Sequence, residues 1–201
     1  MPALQELITQ LTAGAIEVVD LTAPLSERTP VISLPADLGQ AWPCPAVVLD
    51  FSREAAADPD FLLERRHVED WQDRHGPLPV GGWLLYHTGW DERGDDPARF
   101  LNDGHTPGIE ASSARWLAEE TPIIGIGVET VGTDAGLAAS FSQPFPCHWH
   151  LQGAGKYGLT QLRNLARLPV RGAVVVAAPL PIVRGSGSPA RVLALTETEG
   201  R

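Results

Sequence analysis

Five short apolar runs constrain this chain more than any other feature. They are "AVVLDF" (46–51), "GGWLLYHTGW" (81–90), "PIIGIGVE" (122–129), "GAVVVAAPL" (172–180) and "ARVLAL" (190–195). Short runs of this kind, bounded by Gly and Pro, read as buried strands. Between them the apolar spacing is helical. "PALQELITQLTAG" predicts a first helix with a glycine stop, and "DPDFLLERRHVEDWQDRHG" a second that ends at His75-Gly76. "ASSARWLAEE" (111–120) predicts a third. Leucines at 159, 162, 165 and 168 predict a fourth over "LTQLRNLARL". The alternation implies one mixed α/β or α+β domain over residues 1–201. That length is enough to bury a core. The longest irregular connection is "ERGDDPARFLNDGHTPG" (92–108), and long ordered loops are where function tends to sit.

Charge and motifs exclude several classes. A formal net charge of -10 argues against nucleic acid and anionic membrane as partners. Two cysteines without CxxC spacing fit a reducing compartment, and no long apolar run or basic leader is present. The expected location is the cytoplasm. "GAGKYG" (153–158) has the spacing GxGxxG, but no acid follows until Glu197. A dinucleotide site needs one about 20 residues on. P-loop, HExxH and GxSxG patterns are absent.

The chemistry-bearing candidates are histidines. His148 and His150 in "FPCHWHLQGAGKYG" would share a face on a strand but not on a helix. A catalytic metal usually takes three protein ligands, so the pair is either part of a metal site or two polar residues at a surface turn. From Ala135 to Thr196 there is no acidic residue, while Lys156, Arg163, Arg167, Arg171, Arg184 and Arg191 fall there. This stretch is either a basic face docked on an acidic one or a pocket for a carboxylate-bearing ligand.

The blocks "VVLDFS", "GGWLLYHTGWDER", "HTPGI", "IIGIGVETVGTDAG", "FPCHWHLQGAGKYGLTQLRNLARLP" and "GAVVVAAPLPIVRGSGSPARVLAL" resemble, in order, the cyclase family, which includes bacterial kynurenine formamidases and isatin hydrolase. "VVDLTAPLSERTPVI" is similar to that family's opening strand and loop. The resemblance implies a swivelling β/β/α domain, here truncated, that forms a homodimer or homotetramer. It implies a hydrolase that uses Zn2+ or Mn2+ to open the amide bond of a small-molecule substrate. By position it assigns His148 to the metal and to the catalytic corner; His150 has no counterpart in the family and is a catalytic candidate as the other half of the pair. His105, Trp149 and Gln161 fall at the substrate side. Glu129 and Asp134 correspond to structural or pocket-edge groups.

The departure from the family is equally specific. The signature HxGTHxDxPxH, which brings three metal ligands and a proton shuttle, has no counterpart between "PVISLPADLGQ" and "PAVVLDFS". The join falls near Gln40-Ala41-Trp42-Pro43, and Thr160 stands where formamidases have a glutamate ligand. Three readings follow: a hydrolase, impaired as it stands, whose missing segment is restored by a partner chain; a non-catalytic shell or interaction protein; or a parent protein longer than this sequence.

Overall fold

The computed structural model describes residues 2–23, 43–180 and 187–198. The proposed join at 40–43 lies outside them except for Pro43. The elements are α1 (Pro2–Thr12), β1 (Ile16–Asp20), β2 (Cys44–Asp50), α2 (Ser52–Ala57), β3 (Leu62–Leu63), α3 (Arg65–His75) and β4 (Trp83–His87). Then come α4 (Pro97–Leu101), β5 (Gly108–Ile109), α5 (Ala111–Glu119), β6 (Gly125–Val128), β7 (Tyr157–Leu159), β8 (Arg171–Pro179) and β9 (Ala190–Glu197).

A seven-stranded sheet runs β1-β9-β8-β2-β4-β6-β7, and β3 pairs with β5 beside it. Strands β2, β4, β6 and β7 are mutually parallel, while β8, β9 and β1 join antiparallel. The fold is the expected mixed α/β domain. The central runs are apolar without alternation because both sheet faces are covered. Val47, Leu49, Leu84 and Tyr86 meet Val68 and Trp71 of α3 and Leu117 of α5 on one face. Ala46, Val48, Trp83 and Leu85 meet Leu159, Leu162, Leu165 and Val175 on the other.

Three expectations need correction. The fourth helix, over 159–168, is not formed. Its leucines are all buried, but Gln161 and Asn164 have φ of 56° and 62°, and only Leu165–Arg167 makes a 3-10 turn. The amides of Gln161, Leu162 and Arg163 donate instead to Thr130, Val128 and Leu21 carbonyls at 2.9, 3.0 and 3.1 Å. A repeat of three is nearer the 3-10 period than the 3.6 of an α-helix. The second helix starts only at Arg65, because Leu62–Leu63 pairs with β5 and the Glu64 side chain and His67 form a reciprocal cap. The irregular connection holds α4, which Asp96 caps and Pro97 opens.

The basic stretch resolves as a docked face. Arg163 pairs with Asp95 at 3.1 Å, Arg191 with Asp20 at 2.8 Å, and Arg167 with Glu17. Arg171 donates to the carbonyls of Gly76 and Pro77, and Lys156 to those of Leu117 and Thr121. Arg184 lies outside the described residues.

Candidate functional site

Ligands of open parallel sheets bind beyond the carboxyl ends of the strands. Here the loop after β6, residues 130–136, gathers the candidate residues. At its start, the Thr130 carbonyl accepts the Gln161 amide at 2.9 Å. At its end, the Gly136 amide donates to Thr106, next to His105, at 3.0 Å. The approach there is so close that a Cβ on Gly136 would stand 1.8 Å from the Gly104 carbonyl oxygen. Between these points Asp134 is buried and faces a helical turn of π type at Cys147–Gln152. One carboxylate oxygen accepts the Cys147 amide at 2.6 Å; the other accepts the His148 amide at 3.3 Å and pairs with His148 Nδ1.

That pairing fixes the imidazole. With Nδ1 held by a carboxylate, Nε2 is the ring nitrogen left for chemistry, and the side chain is 43% exposed. The Asp134 hydrogen bond raises the His148 pKa, against the pull of partial burial. Burial, and then Asp134, pushes the neighbouring Cys147 thiol well above its usual range. No disulfide joins Cys147 to Cys44.

The other candidates are placed as follows. His150 lies on the same π-type turn, so it does not share a strand face with His148, and no hydrogen bond or ring contact joins them among the described residues. Trp149 projects into solvent at 65% exposure. His105 is tied through Nδ1 to Asp60 at 2.7 Å. Gln161 is buried and lines a water-sized cavity of about 30 Å3 together with Leu21, Thr160 and Val192. Thr160 Oγ1 is buried there without a hydrogen-bond partner. "GAGKYG" follows this helical turn rather than a strand, so the dinucleotide geometry is absent.

Two features were missed from the sequence. Asp134, read as a pocket-edge group, is the orienting partner of His148; fourteen residues separate them, and only the tertiary fold brings them together. A second polar cluster sits at the ends of β2, β4 and β6. His87 Nδ1 pairs with Asp50 at 3.0 Å and its Nε2 lies 3.8 Å from Glu129. Glu129 in turn accepts the Thr88 amide, the Thr88 hydroxyl and the Trp90 amide on one oxygen. The polar residues that close each apolar run, Asp50, His87 and Glu129 at the strand ends, were the available signal.

The family's metal does not fit the described residues. All six histidines lie among them, yet no group of three or more His, Cys, Asp or Glu side chains converges there as a cation site. His67 Nδ1 accepts its own helix cap, His105 and His87 are tied to carboxylates, and His148 offers one imidazole nitrogen. A divalent ion at a catalytic site needs more donors than this corner holds.

Comparison with known proteins places the chain. The family model described as "Putative cyclase" matches residues 37–135. Isatin hydrolase of Roseibium aggregatum is 33% identical, with 96% of this chain and 97% of that protein covered. That alignment spans 255 positions, more than the 201 residues here, so the relative carries residues without a counterpart in this chain. The crystal structure of an isatin hydrolase bound to the product analogue thioisatinate superposes with a TM-score of 0.89 at 33% identity, over 98% of each chain. At the level of fold alone, the structure of a potential metal-dependent hydrolase with cyclase activity matches with a TM-score of 0.67 at 21% identity, over 92% of this chain and 100% of that one. A chain with this sheet and a relative of that identity over nearly the whole of both proteins belongs to the cyclase family, alongside isatin hydrolase.

Proposed function

We propose that this chain is a hydrolase of small-molecule amides of the isatin hydrolase type, acting as a homodimer or homotetramer. The observation that supports the reading best is the buried Asp134 holding His148, in a loop where the family resemblance also puts the catalytic corner. Asp134 is the positioning residue. His148 is the catalytic one: its Nε2 takes a proton from the attacking water and returns it to the leaving nitrogen. The water oxygen bonds to the amide carbon, the C–N bond breaks, and a carboxylic acid and an amine result. Gln161, Trp149 and His105 sit on segments bound to the same loop and belong to the substrate side; His150, two residues past His148 on the same helical turn, is the second catalytic candidate. Zn2+ or Mn2+ is the family's cofactor, and the step above uses only the chain's own groups because the described donors fall short of a site for it.

The test is hydrolysis of isatin and of N-formylkynurenine by the purified chain, alone and with added Mn2+ or Zn2+, beside its metal content. Isatin turnover that drops about a hundredfold or more in His148→Ala is the expected result. A second reading, a non-catalytic shell protein, is favoured by the incomplete donor set; absence of turnover on both substrates under all conditions would leave that one standing.

A further inference from the structure

We propose that the cavity between α2 and the turn after β4 is a binding site for a small organic anion, held by Arg93 and Arg99. It goes beyond the hydrolase reading and stands without it, since neither Asp134 nor His148 lines this cavity.

The cavity measures about 320 Å3. That is the lower end of the range for small-molecule pockets and too little for a peptide or nucleic-acid chain. Gly89, with φ of 68°, turns the chain out of β4 into a 3-10 turn, Trp90–Arg93. Ser52 and Ala55 of α2 line the same space as that turn. Ala55, Thr88 and Trp90 are buried and form its inner part, while Glu92 and Arg99 are exposed and mark its mouth.

The arginines decide the charge of the ligand. Among the described residues, all but three arginine side chains donate a hydrogen bond to a carboxylate or a carbonyl. The three are Arg53, Arg93 and Arg99, and two of them line this cavity. In a chain with 25 acids and 15 basic groups, cations left without a carboxylate run against the balance. The acids of the same loop are engaged elsewhere. Asp91 accepts the Asn164 amide at 2.8 Å, Asp95 pairs with Arg163, and Asp96 caps α4. Glu92 is the one acid on the lining, so two permanent positive charges stand against one negative charge.

Arg93 is also held in place. Its guanidinium carbon lies 3.8 Å from the centre of the Trp90 ring. The ring in turn is fixed by its indole N–H, which donates to the Phe100 carbonyl at 2.8 Å. Stacking orders the guanidinium plane and leaves its N–H edges for an acceptor. Carboxylate and phosphate oxygens match that fork. Ala55, Ala56 and Trp90 supply an apolar wall for a short carbon body.

Calorimetric titration with butyrate, with propyl phosphate and with 2-pentanone, a neutral compound of butyrate's shape, tests the site. At least one anion is expected to bind with a Kd of about 1 mM or below, and at least about tenfold more tightly than the ketone. The tighter of the two anions identifies the headgroup. Arg99→Ala and Arg93→Gln are each expected to weaken that anion about tenfold. Glu92→Gln is expected to strengthen it, and His148→Ala to leave it unchanged. Arg99 makes no side-chain contact with the rest of the described chain, so Arg99→Ala reports on the ligand even where Arg93→Gln unsettles Trp90. Binding of neither anion, equal binding of anion and ketone, or anion affinity untouched in Arg99→Ala overturns the proposal. So does anion binding that is lost in His148→Ala, since the ligand then sits at the catalytic corner.

Discussion

Glu129 is 1% exposed, with one carboxylate oxygen accepting three hydrogen bonds and the other accepting none. Burial raises its pKa from 4.5 to about 7; nearby Asp91 adds to the rise, while His87 and the Thr88 hydrogen bonds oppose it. The folded state therefore holds a proton that the unfolded state releases near its ordinary value. Between pH 4.5 and 7 the folded chain binds more protons, so stability falls as pH rises through this window and levels off above it. The loss is on the order of 3 kcal/mol at most. Glu129→Gln keeps an acceptor for Thr88 and Trp90 and removes the charge. Its melting temperature is expected to be flatter across that window and higher than the wild type's at pH 8, as thermal unfolding at a series of pH values will show. A variant that tracks the wild type at every pH would place the titration elsewhere.

Among the elements, α4 shows how a local signal can be overlooked. Asp96 accepts the amides of Ala98 and Arg99 at 3.0 and 3.2 Å, and Pro97 opens the helix. The helix seats Phe100, whose carbonyl accepts the buried Trp90 indole at 2.8 Å. Asp96→Ala is expected to lower stability by about 1 kcal/mol, the usual worth of such a cap, measured by denaturant unfolding. An effect below a few tenths would mean that Trp90 alone holds the turn. The same contrast explains what could be read from sequence. The parallel strands β2, β4 and β6 were legible because their runs are apolar on both faces, and the helix stops at Gly14 and Gly76 because such signals are local, whereas the short strands β3, β5 and β7 and the start of α3 were not read. The segment 159–168 was not, because its leucine stripe is met by tertiary hydrogen bonds to Thr130, Val128 and Leu21 rather than by its own turns. His148 was visible as a candidate through its resemblance to a family block. Asp134 as its partner depends on backbone geometry that spacing does not encode.

At the scale of the molecule, the two ends of the chain are tied together. The ion pairs of Arg163, Arg167 and Arg191 reach back to Asp95, Glu17 and Asp20. Each has at least one solvent-exposed partner, so each contributes little on its own. The register of β1 on β9, from Ile16 opposite Glu197 to Asp20 opposite Leu193, carries more. A chain ending at residue 189 loses β9 and leaves both β1 and β8 with open edges. It is expected to be insoluble or to lack a cooperative melt; a soluble monomer that unfolds cooperatively would show the sheet to be separable from its last strand.

That closure of β1 on β9 has a consequence for the order of assembly. Among the described strands, β1 comes first in chain order and pairs with β9, which comes last. Contacts so remote in sequence form slowly and leave an unpaired edge exposed meanwhile. Until β9 is in place, the backbone groups of β1 therefore face solvent, and every segment between the two must be made before that edge can be covered.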